Sequence, residues 1–269
     1  MITEFLNLPW SKIFLLFGIF YIVILIVAWI YADRLLFPFP EPVSYGQEEV
    51  DFYVTTQNGL QVACVSVTPK VPNGGTILYS HGNGEDLGMI QERLSEIAQD
   101  GYTVFSYDYP GYGLSTGSPS ESSCLEAIES LFSHMVNIMN INPKTIVLWG
   151  RSLGTGPSCY LASKNNLGGL LLETPFLSAF RALTAITILP WDRFRNIDFV
   201  KSVECPSLVI HGKLDEVVPF RQGRRIYKEL SEPKSFLEIQ DAGHNNLKEK
   251  GKKMYHDGVA NFLNSILKD

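Results

Sequence analysis

The stretch LWGRSLGTG, Leu148 to Gly156, sets Ser152 between Gly150 and Gly154 directly after an apolar run. Alone, a G-x-S-x-G pattern proves little, because glycine fills 22 of the 269 positions. Its surroundings give it weight. TIVLWG (145–150) has the apolar, β-branched character of a strand buried on both faces, and a helical pattern begins at the serine. A strand that turns sharply into a helix needs glycine where backbone meets backbone. Such a turn exposes the side chain at its apex and aims the positive end of the helix at it.

On either side of this turn, short β-rich runs alternate with helical patterns. VDFYVTT (50–56) and LQVACVSVT (60–68) flank Gln57-Asn58-Gly59, a strong hairpin signal. TILYS (76–80), TVFSYD (103–108), GGLLLE (168–173), SLVIHG (207–212) and SFLEIQ (235–240) read as further strands. Helical spacing covers 86–99, 120–139, 221–230 and a last segment to Leu267. Repeated strand–helix–strand units predict an α/β fold: a mainly parallel central sheet with helices on both faces. Ligands then bind beyond the carboxyl ends of the strands.

A serine hydroxyl is a weak nucleophile near neutral pH; it needs a base, and the base needs an orienting acid. HGKLDEVVP supplies Asp215 after the strand SLVIHG, and DAGHNN supplies His244 after the next strand. Both lie at carboxyl ends, on the side of the sheet where Ser152 is expected. Glu173, ending the strand GGLLLE, is the alternative acid. Asp241 lies only three residues before His244, and Glu216 should point away if its neighbour Asp215 points in. His211 is expected to brace the loop that presents Asp215, while His134 and His256 fall in helical patterns. The oxyanion of an acyl-transfer intermediate also needs N–H donors. The backbone of Leu153, just after the nucleophile, is one candidate. The other is the backbone of Asn83, in the HGNGED loop after TILYS, where Gly82 and Gly84 permit close approach. DYPGYGLSTG (108–117) reads as a tight structural turn, with pocket lining as the alternative.

The formal net charge of −6 provides no electrostatic footprint for nucleic acid. Cys64, Cys124, Cys159 and Cys205 are widely spaced and read as small buried residues. Histidines and cysteines never fall at metal-ligand spacing, and neither a phosphate loop nor a dinucleotide fingerprint occurs, so no metal and no cofactor is expected.

Ile13 to Ala32 is a run of 20 residues without a charge. At the helical rise it spans about 30 Å, the thickness of a bilayer core. Trp10, Trp29 and Tyr31 border it as interface anchors do, and Lys12 and Arg34 flank it too evenly to set its orientation. A cleaved signal peptide would have a shorter apolar core and a better cleavage site. The expected organisation is an N-terminal segment (1–12), a transmembrane anchor (13–32), a Pro-rich connector (33–44) and one domain (45–269) with a short helical cap at about 174–202. Phe176, Phe180, Leu183, Ile186, Ile188, Leu189 and Trp191 make that cap strongly apolar. An acyl-binding wall and a satellite core have the same signature there.

From about Phe37 onward, HGNGEDLG, DYPGYGLSTGSPSE, GRSLGTG, ETPF, CPSLVIHGKLDEVVP and AGHNN together resemble the α/β-hydrolase superfamily. They look most like the branch of membrane-attached protein depalmitoylases and related single-pass hydrolases. The resemblance implies the α/β-hydrolase fold, with Ser152 as nucleophile, Asp215 as acid and His244 as base. The depalmitoylases attach through a cysteine-rich, lipidated N-terminus, whereas here no cysteine precedes Cys64. The expectation is a single-pass, membrane-anchored serine hydrolase acting on acyl esters or thioesters, lipidated substrates among them. Two alternatives stand beside it. A serine peptidase of the aminopeptidase type would need acidic groups to hold a free amine, and the cap offers only Asp192 and Asp198. A catalytically silent membrane-anchored scaffold would need no chemistry.

Overall fold

The computed structural model describes residues 10–37, 43–183 and 191–266. The chain divides into two compact units, Met1–Pro38 and Phe39–Asp269. In the first, α1 (Trp10–Leu36) is a 27-residue helix. Its stretch Lys12–Arg34, 23 residues with mean hydropathy 3.0, is long and apolar enough to cross a membrane by length and composition. Apolar side chains lie on all sides of it, so it has no face built for water. The expected span, 13–32, falls inside this helix.

In the second unit, the described residues form one eight-stranded sheet: β1 (Phe52–Thr55), β2 (Gln61–Val67), β3 (Thr76–Ser80), β4 (Thr103–Tyr107), β5 (Ile146–Arg151), β6 (Gly169–Glu173), β7 (Ser207–Gly212) and β8 (Lys234–Ile239). The spatial order is β1-β2-β4-β3-β5-β6-β7-β8. The β1–β2 hairpin is antiparallel, and β2 pairs antiparallel with β4; from β4 to β8 every pairing is parallel. In the middle, β3, β6 and β7 are buried along their whole length and β5 up to its last residue, as their near-continuous apolar runs require.

Helices cover both faces. Ile77, Tyr79, Trp149, Leu171 and Ile210 share one core with Leu94 and Ile97 of α2 (Gln91–Gln99) and with Val259 and Leu263 of α8 (Leu247–Ile266). Leu78 and Leu148 alternate with these and are equally buried on the opposite face. That face is covered by α3 (Glu121–Asn137) and α4 (Thr155–Ala162), which pack on each other and on the sheet. The helical spacing at 86–99 overstated α2 because Asp86 is a buried cap. Its carboxylate accepts the N–H of Met89 at 3.1 Å and of Ser44 at 2.8 Å, which holds 86–90 as turns.

Between β6 and β7 lie two short helices, α5 (Ala179–Leu183) and α6 (Asn196–Phe199). Ile186, Ile188 and Leu189 of the expected apolar cap lie outside the described residues, as do 38–42 of the connector and Leu267. Of the rest, Phe176 is buried and Phe180 and Trp191 are half-buried. The two ends of the segment are tied together: Ala179 N–H donates to Arg193 O at 2.8 Å and Ile197 N–H to Leu177 O at 3.0 Å. Next, α7 (Phe220–Glu229) contributes Gln222, which accepts Leu177 N–H at 2.9 Å and donates to Arg181 O at 2.6 Å.

The turn after β5 explains its glycines. A Cβ on Gly154 would collide with Ser80 O and lie 2.8 Å from His81 O, so the backbone after the serine rests directly on the end of β3. A Cβ on Gly150 would lie 2.5 Å from Gly154 O and 2.7 Å from Ser158 Oγ. Gly154→Ala should therefore lower stability by about 1–3 kcal/mol through overpacking against immobile backbone. Thermal denaturation checks this, and a variant as stable as wild type would show that the turn can move away from β3.

Candidate active site

Ser152 opens a one-turn 3-10 segment (Ser152–Gly154) that leads into α4. Its φ is +49°, in the left-handed region that residues other than glycine seldom adopt. Such a strained apex persists only because β5 behind it and Gly154 against β3 fix the chain on both sides. It turns the hydroxyl out of the helix and toward the loop after β8. There His244 Nε2 accepts the Ser152 hydroxyl at 2.9 Å.

On the other edge of the imidazole, His244 Nδ1–H donates to Asp215 Oδ2 at 2.8 Å. Asp215 occupies the loop after β7, and its second oxygen accepts Val217 N–H at 2.9 Å and Val218 N–H at 2.7 Å. His211, the penultimate residue of β7, donates Nε2–H to Val218 O at 2.9 Å and lies 3.2 Å from Asp215 Oδ2. Burial by itself would raise the Asp215 pKa. Hydrogen bonds from His211 and His244, the His244 charge and the Val218 N–H outweigh it and hold the carboxyl well below the usual range. Asp215 is therefore a carboxylate at neutral pH, which selects the tautomer with Nδ1 protonated and Nε2 free to take a proton.

The structure thus brings Ser152, His244 and Asp215 into one hydrogen-bonded line. Glu173 is not part of it. Its carboxylate pairs with Arg93 Nη2 at 2.9 Å and accepts the Tyr255 hydroxyl, inside a polar cleft of about 440 Å³ that also exposes Glu85, Arg151 and Asn245. That cleft borders the line on both sides in sequence, since Arg151 precedes Ser152 and Asn245 follows His244. Arg151 bridges it, donating to Glu85 and, at 2.8 Å, to Asn245 Oδ1.

The loop after β3 straddles the serine turn. Ser80 and His81 touch Gly154, while a Cβ on Gly82 would lie 3.0 Å from Arg151 Nη1. Leu153 and Asn83 accordingly stand on the two segments that meet at Ser152. The DYPGYG turn braces this loop: Tyr109 OH donates to His81 O at 2.6 Å, and Tyr112 OH to Asn83 Oδ1 at 2.8 Å. Beyond the tyrosines themselves, no pattern in the sequence announces those two bonds. His134 stacks on Phe52, and His256 packs edge-on against Tyr255.

All four cysteines are free and buried, and burial pushes the Cys205 thiol up to about 12, which suits packing rather than nucleophilic chemistry. Among the described residues, no group of three or more His, Cys, Asp or Glu side chains is arranged to hold a metal ion.

Residues 72–196 match the Hydrolase_4 family, described as serine aminopeptidase, S33. Alpha/beta hydrolase domain-containing protein 17B of Homo sapiens is 32% identical over 231 residues, covering 83% of this chain and 80% of that protein. Alpha/beta hydrolase domain-containing protein aho-3 of Caenorhabditis elegans is 38% identical over 195 residues, 71% of this chain; the match spans only 59% of that protein. Among solved structures, Pyrococcus furiosus esterase Pf2001 superposes with a TM-score of 0.69 at 14% identity, covering 83% of this chain and 96% of its own. Est1E of Butyrivibrio proteoclasticus, solved with ferulic acid, gives 0.60 at 19% identity, over 78% and 99%. At such identities these two likenesses concern the fold alone.

Because the folded-state pKa of Asp215 lies below its unfolded value, its contribution to stability is fully present above about pH 3.9 and fades as the pH falls further. The melting temperature of wild type should therefore fall more steeply than that of Asp215→Asn below about pH 4. Parallel slopes in that range would mean that Asp215 is not held ionised by its two histidines.

Proposed function

The chain belongs to the α/β-hydrolase superfamily, among relatives of the alpha/beta hydrolase domain-containing 17 proteins, and from that premise we propose a serine hydrolase that cleaves acyl esters or thioesters through an acyl-enzyme on Ser152. The observation that carries this reading is the line from Ser152 Oγ through His244 to Asp215, with links of 2.9 and 2.8 Å. Ser152 Oγ attacks the acyl carbonyl as His244 Nε2 takes its proton. Asp215 holds the imidazole in place and stabilises its positive charge. The N–H groups of Leu153 and Asn83 receive the tetrahedral oxyanion, an interaction worth roughly 3 kcal/mol per donor. Collapse breaks the bond to the leaving oxygen or sulfur, which departs with the proton from His244. Water then attacks the acyl-serine, giving its proton to His244, and the acid is released as Ser152 regains its hydrogen.

The resemblance to membrane-attached depalmitoylases supports S-acylated or otherwise lipidated substrates, and α1 serves in this reading as a single-pass membrane anchor. A lipid-bound acyl chain and an anchored enzyme share one surface, which raises their encounter rate. The aminopeptidase-type alternative is weakened by the two acids it needs. Asp192 accepts Phe180 N–H at 2.9 Å, Arg193 N–H at 2.8 Å and the Ser178 hydroxyl at 2.5 Å. Asp198 is exposed and pairs with Arg195 at 2.5 Å and Lys201 at 3.7 Å.

Hydrolysis of p-nitrophenyl esters and thioesters across acyl lengths tests the proposal, with a fluorophosphonate probe as a second readout. Wild type should turn over long-chain substrates and be labelled, and Ser152→Ala should lose both, with kcat down by at least about 10³-fold. Turnover that persists in Ser152→Ala, or cleavage of short peptides in preference to acyl esters, would contradict it.

A further inference from the structure

Two buried carboxylates that play no part in moving the proton, Asp86 in the loop after β3 and Asp108 beside it, are without solvent exposure. Each takes a partner from the segment that follows α1 in sequence. Ser44 donates its N–H to Asp86 at 2.8 Å and its hydroxyl to the same carboxylate. The Tyr45 hydroxyl donates to Asp108 Oδ2 and in turn accepts Leu114 N–H at 3.0 Å. Gly88 and Gly113 leave room for this insertion: a Cβ on Gly88 would lie 2.9 Å from Tyr45 Cβ, and one on Gly113 would lie 2.6 Å from the Tyr45 hydroxyl.

Asp108 passes this contact on. Its Oδ1 accepts Leu87 N–H at 3.1 Å and lies 3.3 Å from His81 Nε2. His81 is fully buried, and burial disfavours its charge. Asp108, 3.3 Å away, and the Gly82 carbonyl outweigh that and raise its pKa. On its other edge, His81 Nδ1–H donates to Gly82 O at 2.9 Å. That carbonyl belongs to the same peptide plane as the N–H of Asn83. In a planar trans peptide the C=O and N–H point in opposite directions, so a donor fixed on Gly82 O fixes the aim of Asn83 N–H. It also polarises the peptide and strengthens that N–H as a donor.

We infer that Tyr45 is a positioning residue for the oxyanion site: its hydroxyl, through Asp108 and His81, sets the orientation of the Gly82–Asn83 peptide. The inference rests on the reading of Asn83 as an oxyanion donor. It gives the residues just after the Pro-rich stretch a role in the rate of the reaction. Tyr45 never touches the acyl group, so its loss should weaken binding of the tetrahedral species while leaving substrate binding intact.

The test uses the full chain in detergent micelles, comparing wild type, Tyr45→Phe, Asp108→Asn and the double variant. An acyl thioester measures kcat and KM, and an alkyl boronic acid, which forms a tetrahedral adduct on serine, measures oxyanion stabilisation. Tyr45→Phe should lower kcat about tenfold with KM unchanged, and weaken the boronic acid by a similar factor. The double variant should lose no more than Asp108→Asn alone, because both act on one path. A fall in melting temperature without that kcat and boronate loss would show a merely structural bond and overturn the inference. If Tyr45→Phe does not fold, Asp108→Asn supplies the same comparison, and wild-type boronate affinity there overturns it equally. Full turnover in Ser152→Ala would instead remove the proposed function. An inert Ser152→Ala beside a fully active Tyr45→Phe would remove only the role of Tyr45.

Discussion

The arrangement depends on one close approach, the backbone of Gly154 against the carbonyls of Ser80 and His81 at the end of β3. Because β3 and β5 pair in parallel, with Ser80 opposite Gly150, both strands end at the same level. The chain leaving β5 must turn at once, and absence of a side chain on Gly154 lets it turn against β3 itself. Ser152 is thereby forced to a φ of +49°, with its hydroxyl raised above the strand ends. The same contact pulls the 81–86 loop beside the serine. The nucleophile candidate and the second oxyanion candidate are thus placed by one piece of packing.

Around this turn the protein buries several carboxylates, among them Asp215, Asp108 and Glu173, and gives each its own donors. Asp215 is held by His244, His211 and two backbone N–H groups; Asp108 by Tyr45, Leu87 and His81; Glu173 by Arg93 and Tyr255. A buried charge is tolerated only when paired and hydrogen-bonded in this way. The surroundings then separate the tasks. Asp215 faces an imidazole whose far nitrogen meets a hydroxyl, and in the proposed reaction its charge bears on proton transfer. Asp108 faces an imidazole whose far nitrogen meets a peptide carbonyl, the contact on which the inferred orientation of that peptide rests. Glu173 faces a guanidinium stacked over Trp149, 5.0 Å from the ring centre, and joins α2 and α8 to the sheet.

Much of this was legible in the sequence, for physical reasons. Buried parallel strands leave long apolar runs, so β3, β5 and β7 could be read to within a residue. The convergence of Ser152, Asp215 and His244 followed from their places just beyond strand ends on one side of the sheet. The partners of Asp86 and Asp108 were not legible. Ser44 and Tyr45 lie 42 and 63 residues from them, in a stretch whose prolines announce only an extended connector. No periodicity connects an extended segment with the loop it plugs. The start of α2 is hidden in the same way, since the spacing of Leu87 and Ile90 is helical but a buried carboxylate holds those residues as turns. Glu173 could be separated from Asp215 only by seeing Arg93 and Tyr255, which arrive from helices on the far side in sequence.

In the proposed reaction the acyl group passes through the hydroxyl of Ser152. Rapid acid quench of the full chain reacting with a long-chain acyl thioester, followed by peptide mass mapping, reads this directly. A single acyl adduct is expected on the peptide carrying Ser152, accumulating when His244→Gln slows its hydrolysis. Steady turnover with no adduct at any time after mixing, or an adduct on another residue, would contradict it.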